Sequence, residues 1–232
     1  MLSKKFCALP KQVNFLCQAQ FVKPLVANHR DYKPQCQEAV RLKVDDIIND
    51  NVVITAAENC RKWMSPENGN CCIHGDLHLE NVLYSIRDKN IMLIDTDCVR
   101  VGPESYDIGL LVSNYVLLYH YHQELCHAEV VWKGPVHTQL MTDMMQLINI
   151  TLTRYMDGMC HALQDKFESQ QVWRQILHFM AVEVIGWIAG PASFDYIDAH
   201  PKVMMKCLDT AMSILHVMPN NAAELCNILA QH

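Results

Sequence analysis

Residues 70–84 read NCCIHGDLHLENVLY, and ten residues after Asn81 begins a second apolar run, IMLIDTD, which ends on Asp95 and Asp97. The types and spacing fit the transfer of a phosphoryl group. Such chemistry needs a carboxylate that meets the attacking hydroxyl and takes its proton, together with hard oxygen ligands for magnesium on the nucleotide phosphates. Asp76, on a short loop after an apolar strand, fits the first role. Asn81, five residues later, and Asp95, at the end of the next hairpin strand, fit the second, with Asp97 assisting. His74 fits a bracing role through hydrogen bonds to the backbone rather than a part in the chemistry.

Three other chemistries compete for the same residues. LIDTDCV matches the D-x-D-x-[TV] nucleophile motif of haloacid-dehalogenase-type phosphatases, with Asp95 attacking phosphate and Asp97 as acid/base. That fold requires alternating strands and helices afterwards, whereas residues 106–232 read as helices. Cys71, Cys72, His74 and His78 are all allowed zinc ligands, but adjacent cysteines followed by H-x3-H is not a common zinc spacing. CCIH reads more simply as a buried strand, free cysteine being a small hydrophobe. A lone Asp76 or Asp95 could merely cap a turn. The joint spacing of His74, Asp76, Asn81, Asp95 and Asp107 within apolar strands favours phosphotransfer.

The elements that must position these residues follow from periodicity. Residues 1–34 read as irregular, punctuated by prolines at 10, 24 and 34. From 35 to 64 the pattern is helical, with Val40, Val44, Ile47 and Ile48 on one face. Residues 65–70 form a loop, followed by strands at 71–74, 82–86 and 91–94, the last two joined as a hairpin. Helices are predicted over 106–128, 137–167, 171–189, 200–217 and 221–231. The histidines at 120, 122 and 127 fall late in the first of these, where an exposed C-terminal end would favour them. Met204, Met205, Trp173 and Trp187 read as packing residues, Trp187 being the one nearest the expected substrate side. The fold class is α+β, mainly α, in one domain over residues 1–232.

Composition narrows the function classes. Half of the 232 residues are hydrophobic, enough for a sizeable core, and the net charge of −6 argues against a nucleic-acid partner. The longest apolar stretches are interrupted and too short to span a bilayer. Eleven cysteines, an odd number with no leader-like segment before them, point to a cytoplasmic, reducing compartment and mostly buried free thiols. The first of only eight glycines is Gly69, so no glycine-rich phosphate loop precedes the HGDLH segment and no G-x-x-x-x-G-K-[ST] occurs.

HGDLHLEN followed by LIDTD resembles the catalytic segment of the choline-kinase and aminoglycoside-phosphotransferase group of the protein-kinase-like fold. HGDLH together with IDTDCVRVGPESYDIG looks like the methylthioribose kinases, whose pattern is HGDLHTGS followed by I-D-P-E-F-A-x-x-G-P-x-G-F-D-[IV]-G. Fainter likeness extends to FVKPLVANHRDYKP (21–34) and to residues 182–215. The resemblance implies the C-lobe of a kinase-like phosphotransferase, with a small β hairpin carrying the site. It also implies ATP and Mg2+ as cofactors and the 1-hydroxyl of 5-methylthioribose, a methionine-salvage sugar, as acceptor. Asp76 matches the catalytic aspartate, Asp95 the first magnesium carboxylate, and Asp97 the second acid of the metal motif. Asp107 matches the aspartate that steadies the catalytic loop, and His78 the second histidine of HGDLH. The family implies a homodimer, for which the apolar segment 172–189 is a candidate face.

Three departures from the family stand out. Asn81 replaces a serine, as in the wider phosphotransferase group. Val182 and Glu183 occupy the place of a substrate-binding Arg-Arg pair. The nucleotide-clamping N-terminal lobe is not recognisable. An alternative expectation is therefore a catalytically inactive, kinase-derived binding or scaffold protein, or a fragment lacking that lobe.

Overall fold

The computed structural model describes residues 37–65, 67–127, 134–190 and 194–232. The irregular reading of residues 1–34 lies outside them. The single helical stretch expected over 35–64 is two helices, α1 (Glu38–Ile48) and α2 (Asn51–Trp63). Asp50 makes the break: its extended backbone ends the first helix, and its carboxylate accepts hydrogen bonds from Val52 N at 2.7 Å and Val53 N at 3.3 Å. That is an N-cap, satisfying donors that have no partner inside the helix.

Four short strands follow: β1 (Cys71–Ile73), β2 (Val82–Ser85), β3 (Asn90–Leu93) and β4 (Arg100–Gly102). The β2–β3 hairpin is antiparallel, as the sequence suggests. β4 is a fourth strand beyond the three expected from the sequence. It pairs antiparallel with β1, Ile73 opposite Arg100 and Cys71 opposite Gly102, so the β structure is two separate two-stranded ribbons.

The rest is helical: α3 (Tyr106–His127), α4 (Gly134–Leu163), α5 (Ser169–Ala189), the short α6 (Asp195–Asp198), α7 (Pro201–Val217) and α8 (Ala222–Gln231). Pro201 starts α7, where its missing N–H costs nothing. Asn221 caps α8 by accepting from Glu224 N at 3.0 Å. α5 is the axis of the bundle, with Ile176, Phe179, Met180, Val184 and Ile188 fully buried. It packs between α3, α2 and α7. The apolar segment 172–189 is therefore spent inside the chain, which removes the sequence argument for it as a dimer face.

Gly109 allows α3 to approach α5 closely, since a Cβ there would lie 2.7 Å from Phe179 Cβ. This contact holds the first turn of α3, and with it Asp107, against the core. Two burial expectations change. Cys72 and Cys160 are exposed, and only Cys60 and Cys207 among the described cysteines are buried. His120 is no C-terminal surface residue: it is fully buried and bonded through Nε2 to Thr210 Oγ1 at 2.7 Å. Burial pushes its pKa down to about 4. No helix among the described residues is long and apolar enough to cross a membrane.

Candidate active site

The loop from His74 to Asn81 leaves β1 and is tied at nearly every residue. The Asp107 carboxylate, in the first turn of α3, accepts from His74 N at 2.7 Å and from Gly75 N at 2.9 Å. Burial raises the Asp107 pKa, opposed by these two backbone donors. Gly75 has φ +83°, and a Cβ there would fall 2.3 Å from the Cys98 carbonyl oxygen. Only glycine fits such an approach. The loop thus runs directly against the turn that carries Asp95 and Asp97.

The far end of the loop is fixed from two sides. Asn114, two turns along α3 from Asp107, accepts from Leu79 N at 3.2 Å. Asn81, only 5% exposed, donates from Nδ2 to the Asp76 carbonyl at 2.9 Å and lies 3.0 Å from His78 Nε2. With Nδ2 so used, Asn81 Oδ1 takes no hydrogen bond from any described residue. An amide oxygen held in this way suits a hard cation.

Ile94 links loop and hairpin. Its N–H donates to Asn81 O at 3.0 Å, and its carbonyl lies 2.8 Å from His74 Nε2. His74 accordingly braces the strand that precedes Asp95. Asp95 itself sits in the left-handed region at φ 58°, ψ 63°, and starts the 3-10 turn Thr96–Cys98. That conformation disfavours a non-glycine residue. Asp95 and Asp97 are exposed, and neither takes a hydrogen bond from a described residue. Cys98, in the same turn, lies against Gly75, the neighbour of Asp76 in sequence. Burial pushes its thiol pKa up, and the charges of Asp76, then Asp95 and Asp97, push it further against the opposing Arg100.

Asp76 is half-buried, its Oδ2 3.7 Å from His78 Nε2. The His78 ring meets Trp187 edge-on at 6.3 Å, and Trp187 stacks on Phe194 at 4.3 Å. His78 thus links the Asp76 loop to these aromatics. Cys71 and Cys72 are successive strand residues, whose side chains point to opposite faces. Among the described residues no three His, Cys, Asp or Glu side chains gather around one point.

Behind the loop lies a buried polar group that sequence reasoning missed. Arg100 is 1% exposed, its three guanidinium nitrogens have no hydrogen-bond partner among the described residues, and its Cζ lies 5.6 Å from the Tyr106 ring centre. Tyr106 donates to Glu183 Oε1 at 3.3 Å. Burial pushes the Glu183 pKa up to about 8, the Tyr106 hydroxyl opposing and the charge of Asp76 adding to it. Val182 and Glu183, the positions matched to the family's Arg-Arg pair, are thus both core residues. Asn114 was also missed, although the polar Ser113–Asn114 pair interrupting an apolar helix was a readable signal. A wide cleft of about 1260 Å3 lies elsewhere, walled by Trp63, Trp173, Arg174 and Met218. It contains none of the residues gathered around Asp76.

The site is thus a braced aspartate loop beside a strand-end aspartate, set on a helical bundle. Residues 18–124 match the phosphotransferase enzyme family, APH, a match that supports the kinase-like superfamily. It takes in the whole loop, both ribbons and most of α3. No curated protein matches the chain.

Proposed function

We propose that the chain is an ATP-dependent kinase that phosphorylates a hydroxyl group of a small molecule, with Asp76 as the base. The observation that carries this reading is the pair of hydrogen bonds that His74 N and Gly75 N donate to the Asp107 carboxylate, which ties down the loop of Asp76. Preorganisation of this kind is what phosphoryl transfer demands, since the protein contributes mostly positioning and electrostatics. Asp76 would orient the acceptor hydroxyl and accept its proton. His78, beside Asp76 and backed by Trp187, would limit water on that side.

Asn81 Oδ1 and the Asp95 carboxylate, with Asp97 assisting, fit magnesium by the chemistry of their donors. Bound there with ATP, the ion would offset charge on the phosphates. Asp107 and His74 are positioning residues in this account.

Within this class, 5-methylthioribose is the first acceptor to test, on the likeness of HGDLH and GPESYDIG to that family. The buried Glu183 offers an acceptor no cation, so a different small alcohol is the next choice. A second reading, a kinase-derived binding protein without catalysis, draws support from the same substitution. One experiment separates them: ADP release with Mg2+-ATP and 5-methylthioribose, then a panel of small sugars and amino alcohols, beside Asp76→Asn. Acceptor-dependent release that the substitution abolishes supports the kinase. Folded protein that releases no more ADP than the variant with every acceptor, while still binding nucleotide, favours the binding protein.

A further inference from the structure

The longest helix among the described residues, α4, packs on α3 and more lightly on α8 and α5. Its inner side is fully buried at Ile148 and Leu152. Its outer side carries a second pattern. Val136, Leu140, Asp143, Leu147, Ile150 and Arg154 succeed one another at alternating spacings of four and three residues. That is the heptad spacing of a seam between two helices. Val136 is 58% exposed, Leu147 38% and Ile150 54%, so among the described residues nothing covers the seam.

Two charges stand in it. Asp143 takes one hydrogen bond, from Gln139 Nε2 to its Oδ1 at 2.8 Å, and Arg154 has no hydrogen-bond or ion-pair partner among the described residues. One turn after Arg154, on the same face, comes Gly158. A Cβ there would meet nothing within 4 Å, whereas the Cβ position of Gly109 is crowded by α5. A helix interior disfavours glycine, and no contact within the chain calls for one at 158.

We propose that the outer face of α4 is the interface of a homodimer, in which a second copy of this chain lays its own α4 antiparallel along the seam. The proposal is independent of the phosphotransfer reading, and the face is not the buried segment 172–189.

The charges select both the occupant and its direction. In a two-fold antiparallel pair Leu147 meets the partner's Ile150, and Ile150 meets the partner's Leu147. The same register sets Asp143 opposite the partner's Arg154, and the symmetry repeats that pair at the other end. Four apolar side chains at the centre are thereby closed on both sides by opposite charges. A parallel pair would instead set aspartate on aspartate and arginine on arginine. Sliding the antiparallel pair by one heptad sets Asp143 against leucine or Arg154 against isoleucine, a charge on an apolar group either way. A surface that complements itself in one register is what an isologous dimer contact requires. One helix pair is smaller than a standard interface, so the dissociation constant is expected in the micromolar range.

The test is sedimentation equilibrium of the full reduced chain from about 1 to about 200 μM, a range that brackets such a constant. It is run beside Asp143→Arg, Arg154→Asp and the double variant Asp143→Arg/Arg154→Asp, each checked for folding by circular dichroism. The native chain is expected to approach twice its 26.6 kDa mass as concentration rises. Each single variant creates two like-charge pairs and weakens the dimer by on the order of 100-fold. The double variant restores both pairs with the signs exchanged, and returns the affinity to within about threefold. Native protein that stays at 26.6 kDa throughout would overturn the proposal and leave the seam to a helix of another protein. A dimer unchanged in all three variants would also overturn it, since it would use another face. So would a double variant no better than the singles.

Discussion

The two acidic segments of the site are built in opposite ways. From His74 to Asn81 the backbone is held by the side chains of Asp107, Asn114 and Asn81, all from outside the loop or from its own end. From Asp95 to Asp97 the carboxylates are exposed, and Asp95 holds a backbone conformation that costs energy. On the proposed reading the difference separates two tasks. A base must be fixed before the acceptor arrives, because misplacement forfeits the rate advantage of orientation. A cation-holding carboxylate is oriented by the ion it meets, and needs exposure more than bracing.

Substitutions can break this contrast, the most severe first. Gly75→Ala forces a side chain into the Cys98 carbonyl at positive φ, and is expected to destabilise the chain by about 3 kcal/mol, read from a urea midpoint. Glu183 comes next. Its folded pKa, raised to about 8, lies above its unfolded value, so the folded state binds the proton more tightly. The stability this contributes is full at low pH and declines as pH rises from about 4.5 to 8, with a slope of up to about 1.4 kcal/mol per pH unit. Glu183→Gln removes that slope, checked by midpoints at pH 5, 6, 7 and 8.

Asp107→Ala leaves two loop N–H groups without their acceptor and is expected to cost about 2 kcal/mol, with amide exchange at Gly75 accelerated. The smallest effect has the opposite sign. Asp95→Gly relieves the left-handed strain and is expected to stabilise the chain by about 0.5 kcal/mol while removing magnesium-dependent turnover. Gain of stability with loss of activity would mark Asp95 as strained for its task. A loss of stability would instead make it a structural residue and dissolve the contrast.

Much of this arrangement was legible in the sequence, because the signals were local. The alternation of apolar strands with His-Gly-Asp and with Ile-Asp placed Asp76, Asn81 and Asp95, and the 3.6-residue periodicity placed the long helices to within a few residues. What escaped depended on partners far along the chain. Arg100-Val101-Gly102 became a strand only because β1 offers it an edge, and three residues before a proline are too short a run to show an alternation. The break between α1 and α2 was readable in Asn49-Asp50-Asn51, but the helical period resumes across it and masked the cap. Asn114 meets Leu79 across 35 positions, and Glu183 meets Tyr106 across 77, distances no periodicity reaches. The cysteines misled because small and apolar is not the same as buried: Cys72 sits on the outer face of a two-stranded ribbon that has no layer to cover it.

The most direct test of the division between braced base and open metal carboxylate is paired binding and turnover. Mn2+-dependent nucleotide binding would be measured by calorimetry, and ADP release in parallel, for the native chain, Asp76→Asn and Asp95→Asn. The account predicts that Asp76→Asn keeps nucleotide affinity within about threefold and loses about 100-fold or more in turnover. It predicts that Asp95→Asn loses the metal-dependent binding itself. The reverse pattern, with binding lost at Asp76 and retained at Asp95, would contradict it.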